Sequence, residues 1–339
     1  MNKSLVRTTQ MPTNNSGGAG WPSPPSPATT KSDATSHLKS GIAVLVGRTN
    51  VGKSTLLNAL VGTKIAIVTP KPQTTRDTYH GIVNRPEGQI VFVDTPGLFK
   101  TQPSKLVSNL HHKVRDAIEG IDVVVHVVDP TRSLGTEDQR VTEMVAHITQ
   151  PRILVLNKLD QRDRPFRDTW LRAGQASRLS ASTGAGQPGG SPYAEVLELS
   201  ALTGDGVPAL IAAIFRHLPV GEPLYPAGQV TNVSNEFWMT ELIREKIYLQ
   251  TSQEVPYTAE VRLELVEDRQ TKDGKPMLYI KAAIVTTDDR HQRMLIGEGA
   301  RKIKNIGSAA RHELEVAMNR KVYLDLTVLV DREWMEKME

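Results

Sequence analysis

The chain has 339 residues, enough for two domains of ordinary size, and its composition is that of a globular protein. It contains no cysteine, which excludes disulfide frameworks, thiolate catalysis and cysteine-ligated metals. The formal net charge of +4 is a mild basic excess, so only its distribution can indicate a nucleic-acid partner. No apolar run approaches the roughly 18 residues of a membrane-spanning helix.

Residues 1–40 are predicted to be a disordered extension. They are rich in Ser, Thr, Pro, Gly and Asn and have no periodic apolar face. The first acidic residue is Asp33, and an acid-poor, Ser-rich start also fits an organelle-targeting segment, which is the alternative. A single arginine and several prolines favour the plain extension.

Residues 41–218 alternate short apolar runs with stretches of helical periodicity, which predicts one α/β domain. Strands are predicted at 41–46, 89–93, 123–129, 152–157 and 195–199. Short buried strands separated by helices are typical of a mostly parallel sheet covered on both faces. Ligands of such sheets bind at the carboxyl ends of the strands, where the motifs described next are found.

The first strand is followed by Gly-x-x-x-x-Gly-Lys-Ser at residues 47–54 and then by a helical run. Strand, glycine loop and helix predict a phosphate-binding loop for a nucleoside triphosphate. Lys53 is predicted to reach the β- and γ-phosphates, and the Ser54 hydroxyl to hold Mg²⁺. The predicted nucleotide contacts are Gly47, Arg48, Thr49, Asn50, Val51, Gly52, Lys53, Ser54 and Thr55.

The second strand ends at Asp-Thr-Pro-Gly, residues 94–97. A carboxylate there can reach Mg²⁺ through water, and the Gly97 backbone N–H can approach the γ-phosphate. The motif therefore predicts a γ-phosphate sensor. Its predicted nucleotide-binding residues are Asp94, Thr95, Pro96, Gly97 and Leu98.

The polar segment 69–77 lies between these two motifs and is predicted to be a nucleotide switch. Thr75, or alternatively Thr74, is expected to contribute a hydroxyl to Mg²⁺. The metal ligands are then Ser54, Thr75 and, through water, Asp94. The residues predicted to act in hydrolysis are Lys53, Thr75 and Gly97.

Asn-Lys-Leu-Asp, residues 157–160, follows the strand 152–157 and selects the base. The Asp160 carboxylate can accept hydrogen bonds from guanine N1–H and N2–H, a donor pair that adenine lacks. Asn157 can contact guanine N7, and the Lys158 stem can lie across the ring. The nucleotide is therefore predicted to be GTP. The predicted base pocket consists of Asn157, Lys158, Leu159, Asp160, Ser200 and Ala201.

A linker at 219–234 precedes a second predicted domain, residues 235–332. A helix starts near 235 or 236, and two alternating runs, 258–266 and 277–285, read as a hairpin. A glycine turn at 297–299, a basic helix to about 318 and a strand at 322–330 follow. The low-complexity stretch 180–192 within the first domain is predicted to be an exposed insertion.

Four motifs together resemble the Era family of translation-factor-related bacterial GTPases: Gly-Arg-x-Asn-Val-Gly-Lys-Ser-Thr-Leu-Leu-Asn, Pro-Gln-Thr-Thr-Arg, Asp-Thr-Pro-Gly and Asn-Lys-x-Asp. Residues 235–332 resemble a type II KH domain, an α+β fold whose Gly-x-x-Gly loop clamps single-stranded RNA. Ala300 stands where the second glycine usually lies, and Glu298 places an acid beside the phosphate path. The implied RNA-binding residues are Gly297, Glu298, Gly299, Ala300, Arg301, Lys302 and Lys304.

The resemblance implies a GTPase that binds small-subunit (16S) rRNA and acts in 30S subunit assembly. Mg²⁺ is the implied cofactor, with K⁺ near Asn50 as a further hypothesis. The implied state is a cytoplasmic monomer, with peripheral association at the inner membrane as a further possibility. Two alternatives stay open. One is a related GTPase switch whose C-terminal domain binds another RNA or a protein, with hydrolysis only incidental. The other is a tRNA-modification or large-subunit GTPase, which would lack the tail at 236–330.

Overall fold

The computed structural model describes residues 38–69, 79–94, 120–175, 193–251 and 255–334. The insertion at 180–192 and most of the N-terminal extension lie outside these ranges. Within them, the chain forms two sheets, each with its own helices and hydrophobic core. No helix among the described residues is long and apolar enough to cross a membrane.

The N-terminal part contains a six-stranded sheet. Its strands are β1 (Lys39–Val46), β2 (Tyr79–Arg85), β3 (Gly88–Asp94), β4 (Val123–Val128), β5 (Arg152–Leu156) and β6 (Glu195–Glu198), in the order β2-β3-β1-β4-β5-β6. Of the strand pairs that the structure describes in this sheet, only β2–β3 is antiparallel, so the predicted mostly parallel sheet is confirmed. Strand β2 was not predicted from the sequence.

Among the described residues, four helices cover this sheet: α1 (Lys53–Val61), α2 (Thr136–Ala146), α3 (Arg167–Gln175) and α4 (Val207–His217). Alternate side chains of β1 enter different cores. Ala43 and Leu45 pack with α1 and α4, whereas Val44 and Val46 pack with α2 and α3. Burial on both faces explains why the central strands are continuous apolar runs rather than alternating ones.

The C-terminal part is a three-stranded sheet with helices on one face. It consists of α5 (Asn235–Gln250), β7 (Ala259–Gln270), β8 (Pro276–Thr286), α6 (Asp289–Ile296), α7 (Arg301–Met318) and β9 (Lys321–Val330). The β7–β8 pair is antiparallel and the β8–β9 pair is parallel. The mixed α/β fold with a C-terminal KH-like unit agrees with the prediction, except that α6 was not predicted.

The period-two pattern of β8 builds the second core. Leu278 and Ile280 face the helices and pack against side chains of α5 and α7. On the opposite face, Trp334 covers Ala283 and Val285 and is only 1% exposed. Burial of both faces at this end of β8 fixes the register of the sheet.

A cluster of four charged side chains joins the two parts and is called here the interdomain charge cluster. Lys64 follows α1, Glu245 and Lys246 lie on α5, and Glu313 lies on α7. Glu245 accepts from the ammonium groups of Lys64 and Lys246 at 2.7 Å each, and Glu313 pairs with both lysines. The backbone N–H of Val68 also donates to Glu245, at 2.9 Å. The residues that directly precede the predicted switch segment are therefore bonded to a helix of the C-terminal part through Glu245.

Candidate functional site

The phosphate loop lies between β1 and α1, and two of its glycines are required by close contacts. A Cβ atom at Gly47 would lie 2.4 Å from the carbonyl oxygen of Val127 on β4. Gly52 has φ +99°, and a Cβ atom there would lie 2.4 Å from Nδ2 of Asn157. A larger residue at Gly47 would therefore push the loop away from β4, and one at Gly52 would both displace Asn157 and strain the backbone.

Lys53 is buried beneath the phosphate loop. Its ammonium group donates to the carbonyl oxygens of Gly47 and Arg48, both at 3.0 Å. Burial lowers the pKa of Lys53 to about 8, while the nearby Asp94 and Glu137 carboxylates act in the opposite direction. The Lys53 ammonium group is thus bonded to the phosphate loop itself, where phosphate oxygens are predicted to bind.

Ser54 and Asp94, the two predicted magnesium ligands among the described residues, lie next to each other. The Ser54 hydroxyl donates to Oδ2 of Asp94 at 2.7 Å, joining the start of α1 to the end of β3. Hydroxyl and carboxylate oxygens are the hard donors that Mg²⁺ prefers, and phosphate oxygens and water complete its usual shell. The residues present therefore fit this ion. Thr75, Thr95, Pro96, Gly97 and Leu98 lie outside the described residues, and their roles stay predictions.

Asn157 joins the phosphate loop to the predicted base pocket. Its Nδ2 donates to the carbonyl oxygen of Val51 at 2.8 Å, and its Oδ1 accepts from the backbone N–H of Ala201 at 2.9 Å. The Ser200 N–H donates to the Asp205 carbonyl oxygen at 2.9 Å. The backbone N–H groups of Ser200 and Ala201, two residues of the predicted base pocket, therefore already donate within the protein.

Asp160 is exposed at the mouth of the same pocket. Its Oδ1 accepts from the Ser200 hydroxyl at 2.6 Å, and its Oδ2 accepts from the Gln161 amide at 2.7 Å. The hydrogen bond from Ser200 is the main cause that lowers the pKa of Asp160. The carboxylate is therefore ionised at neutral pH and is suited to accept from paired N–H donors. Leu159 lies between it and Lys158, with its N–H bonded to the Leu199 carbonyl oxygen at 3.0 Å.

Asp129 is a residue of this site that sequence reasoning missed. It follows β4, is 1% exposed, and its Oδ2 accepts from the Lys158 ammonium at 2.6 Å. Burial by itself would raise the pKa of Asp129, but hydrogen bonds from Lys158 and Thr131 outweigh it and lower the pKa. The available signal was an acid that directly follows a mostly aliphatic strand, β4, which precedes the strand that ends in Asn-Lys-x-Asp.

The side chains of Arg48 and Thr49 are bonded to acidic residues at the start of α2. Arg48 donates to Asp138 on α2 at 2.9 Å, and the Thr49 hydroxyl donates to Glu137 at 3.3 Å. Asn50 has φ +60°, a left-handed conformation that asparagine tolerates better than most residues. Contacts from Arg48 and Thr49 to a nucleotide would thus come from their backbone.

The glycine turn of the C-terminal part joins α6 to α7. Gly297 ends α6 with φ +70°, and a Cβ atom there would lie 2.8 Å from Cβ of Lys302. Residues Glu298–Ala300 form a tight turn that leads into α7, with Gly299 at φ +56° and Ala300 at φ +60°. Arg301 and Lys304 are exposed and Lys302 is half-buried. The structure therefore brings the predicted RNA-binding residues together at one helix start.

A phosphate loop, a carboxylate at the end of β3 and an Asn-Lys-x-Asp pocket share one edge of a mostly parallel sheet, and a glycine-turn domain follows. This combination defines a P-loop GTPase with a C-terminal KH domain. A family model described as "50S ribosome-binding GTPase" matches residues 42–158, and a KH-domain model matches residues 254–335.

Proteins of known family are similar in sequence to this chain over most of its length. GTPase Era of Halothermothrix orenii is 38% identical over 299 residues, covering 88% of this chain and 95% of that protein. GTPase Era of Geobacter metallireducens is 37% identical with the same coverage. The chain therefore belongs to the Era family of GTPases.

Two solved structures have the same fold over both domains. One is Era in complex with MgGDPNP and nucleotides 1506–1542 of 16S ribosomal RNA, with a TM-score of 0.78 and 31% identity. The other is a variant of Aquifex aeolicus Era bound to GDP·AlF4⁻, with a TM-score of 0.77 and 31% identity. Each match covers 89% of this chain and 97% of the solved one.

The lowered pKa of Lys53 predicts a pH-dependent affinity for GDP. Phosphate oxygens beside the ammonium group would raise its pKa in the complex, so binding takes up a proton once the pH exceeds about 8. We expect the affinity to fall above that pH by up to about tenfold per pH unit. Calorimetry from pH 7 to 9.5, in two buffers of different ionisation enthalpy, measures both quantities.

Lys53→Arg is the matched control, because a guanidinium keeps its charge over this range while alkaline deprotonation of guanine affects both proteins equally. A dependence of the same steepness in both proteins, with equal proton uptake, would show that Lys53 does not titrate on binding.

The left-handed conformation of Ala300 predicts a stabilising substitution. Ala300→Gly should raise the free energy of unfolding by about 1 kcal/mol, because glycine adopts φ +60° without strain. Urea denaturation measures the change. Asn319→Gly is the control, since Asn319 lies at φ +47° at the other end of α7 and asparagine tolerates that region. An equal gain at both positions, or none at Ala300, would argue against strain in the turn.

Proposed function

We propose that this protein is a GTP-controlled, 16S rRNA-binding GTPase that acts in assembly of the small ribosomal subunit. GTP binds at the carboxyl edge of the six-stranded sheet within residues 41–218, and RNA binds at the glycine turn within residues 235–332. The observation that carries the proposal is that the phosphate loop, the Asn-Lys-x-Asp motif and the glycine turn occur in one chain that covers 95% of the length of GTPase Era relatives. Support for the RNA comes from the related Era structure that contains both MgGDPNP and 16S rRNA nucleotides.

Nucleotide recognition in this proposal divides into a phosphate end and a base end. Backbone N–H groups of the phosphate loop and the N-terminus of α1 bind the phosphates. At the base end, Asp160 accepts the N1–H and N2–H donors of guanine, and the Lys158 stem covers the ring. A base without that donor pair leaves the Asp160 carboxylate without its partners, which penalises adenine.

Hydrolysis is an in-line attack of water on the γ-phosphate, for which the protein supplies position and charge rather than a covalent intermediate. Bound Mg²⁺ would neutralise charge on the β- and γ-phosphates. Ser54 and Asp94 lie where they would hold it, directly and through water. Lys53 leaves the loop carbonyls to meet the developing charge on the phosphate oxygens. Leu98 occupies the place where some GTPases carry a water-orienting glutamine, so the proposed intrinsic turnover is slow.

RNA recognition in this proposal relies on the turn and the first residues of α7. A chain that reverses at glycines brings backbone N–H groups close to a phosphate path, and Arg301, Lys302 and Lys304 add positive charge. Glu298 subtracts from that charge. The proposed state is a cytoplasmic monomer; peripheral association with the inner membrane is the alternative implied by the family.

Coupling between the two sites predicts hydrolysis that depends on RNA and salt. A single-stranded RNA matching the 3′ end of small-subunit rRNA should stimulate GTP hydrolysis, and the effect should fade from 50 to 200 mM salt, as counterion release requires. Arg301→Gln should weaken RNA binding and flatten its salt dependence by about 0.7 in the log–log slope. Arg311→Gln, further along the exposed face of the same helix, is the control.

Hydrolysis that is unaffected by this RNA at every salt concentration would retain the GTPase assignment and reject the proposed RNA-coupled function. Equal RNA affinities for the Arg301 and Arg311 variants would reject the glycine turn as the RNA site.

A monovalent cation beside Asn50 is the proposed substitute for a missing positive charge near the phosphates. Hydrolysis should be faster in potassium than in sodium buffer at equal ionic strength, by about tenfold if the ion contributes about 1.4 kcal/mol to transition-state stabilisation. Asn50→Ala should abolish the difference between the two buffers, while Asn232→Ala, in the linker, should preserve it. Equal wild-type rates in both buffers would contradict the proposal.

A further inference from the structure

The connection from β4 to α2, residues 129–135, contains none of the nucleotide motifs, yet it contacts the loops that do. Together with the first turn of α2 it is called here the β4–α2 connection, residues 129–138. It lies between the phosphate loop and the guanine motif, because β4 separates β1 from β5 in the sheet. Its three acidic residues, Asp129, Glu137 and Asp138, face cationic or hydroxyl groups of those two loops.

At the phosphate end, Asp138 holds Arg48. Oδ2 of Asp138 accepts from the Arg48 guanidinium at 2.9 Å and from the Gly135 backbone N–H at 2.9 Å. The same guanidinium donates to the Ser133 carbonyl oxygen at 3.3 Å. Asp138 is 3% exposed. The turn that precedes α2 therefore fixes the position of the Asp138 carboxylate, and the carboxylate in turn bonds Arg48 of the phosphate loop.

At the base end, Asp129 holds Lys158. Oδ2 of Asp129 accepts from the ammonium group at 2.6 Å, and Oδ1 accepts from the N–H and the hydroxyl of Thr131 at 3.0 and 2.6 Å. Lys158 itself has φ +66°, an uncommon conformation for lysine. An anchor at its far end fixes the direction of the stem that is proposed to cover guanine.

Both carboxylates are buried, and a buried charge needs a partner and hydrogen bonds to offset its desolvation. In each case hydrogen bonds come from the connection itself and the nearest cation comes from a nucleotide-binding loop. Arg132, within the connection, lies farther from Asp129, at 3.8 Å, and is largely exposed. Neither acid is predicted to touch the nucleotide. Their chemistry is that of residues that position others.

We propose that the β4–α2 connection is a positioning element that holds both ends of the nucleotide site. Asp138 holds the phosphate loop through Arg48, and Asp129 holds the guanine-covering Lys158. The inference rests on the proposed placement of GTP. A loop that is already ordered loses less conformational freedom on binding, so removing either anchor lowers affinity mainly through faster dissociation.

The test measures the dissociation rate of a fluorescent methylanthraniloyl-GDP from the full chain with Mg²⁺ by stopped flow. Asp129→Asn and Asp138→Asn should each accelerate release by about tenfold. Asp129→Asn combined with Lys158→Met should be no faster than the faster single variant, because the acid acts through the lysine. Asp138→Asn with Arg48→Met should behave likewise. Asp129→Asn with Asp138→Asn should multiply the two effects, since the anchored loops differ.

Glu195→Gln is the matched control. Its carboxylate accepts from Arg216 at 3.0 Å in the same domain, away from both loops, and its loss should leave release within about twofold of the wild type. Melting temperatures without nucleotide check folding. For a variant that does not fold, Asp129→Glu or Asp138→Glu keeps the charge but displaces the carboxylate, and it should still accelerate release.

Wild-type release rates in Asp129→Asn and Asp138→Asn, or effects that multiply within a pair, would overturn the inference. A lower melting temperature with unchanged release from the folded protein would also overturn it, since that result indicates a purely structural role. The Asp160→Asn variant distinguishes failure of the positioning element from failure of the proposed guanine pocket. If Asp160→Asn weakens GDP while the two anchors have no effect, only the positioning element fails. If Asp160→Asn binds GDP like the wild type, the proposed guanine pocket itself fails.

Discussion

The contact between Asn157 and Val51 is the constraint on which the nucleotide site depends. It exists because Gly52 leaves space for the asparagine side chain; a Cβ atom would lie 2.4 Å from it. The strand order places β1 and β5 on either side of β4, so one amide can join loops that are 106 residues apart. The loop predicted to bind phosphate and the loop predicted to recognise the base are therefore directly connected to each other.

Burial of charge is the common feature of this arrangement. Lys53, Asp94, Asp129 and Asp138 are all at most 7% exposed, and each has a polar partner from another element. Such groups stabilise the fold little compared with apolar side chains, but they penalise any geometry that breaks their pairing. The buried charges thereby fix the geometry of the site while adding little to the stability of the fold. This combination is expected of a protein that must bind and release its ligand.

The sequence was sufficient to predict the fold class and most of its elements. Apolar runs such as Val-Val-Val-His-Val-Val identify β4, and the motifs follow strand ends, so their meeting at one edge was predictable. Strand β2 was missed because it is an edge strand with only two consecutive aliphatic residues, Ile82 and Val83. Helix α6 was missed because it is short and mostly polar, with Asp288 as its N-cap.

The anchoring contacts could not be predicted, because they depend on distance in space. Asp138 is 90 residues from Arg48, and Asp129 is 29 residues from Lys158. No local periodicity or propensity relates such residues. Ala300 is an intermediate case. Its place in the glycine turn was predicted from the sequence, whereas its left-handed backbone conformation is known only from the structure.

The interdomain charge cluster has a consequence for dissection of the protein. Glu245 is nearly fully buried and its ammonium partner Lys64 comes from the N-terminal part. A C-terminal fragment would keep its apolar core, yet its helices α5 and α7 would lose this bracing and expose Glu245 and Glu313. RNA affinities measured on such a fragment would describe a differently charged and less constrained surface, so the intact chain is the proper reference for any binding study.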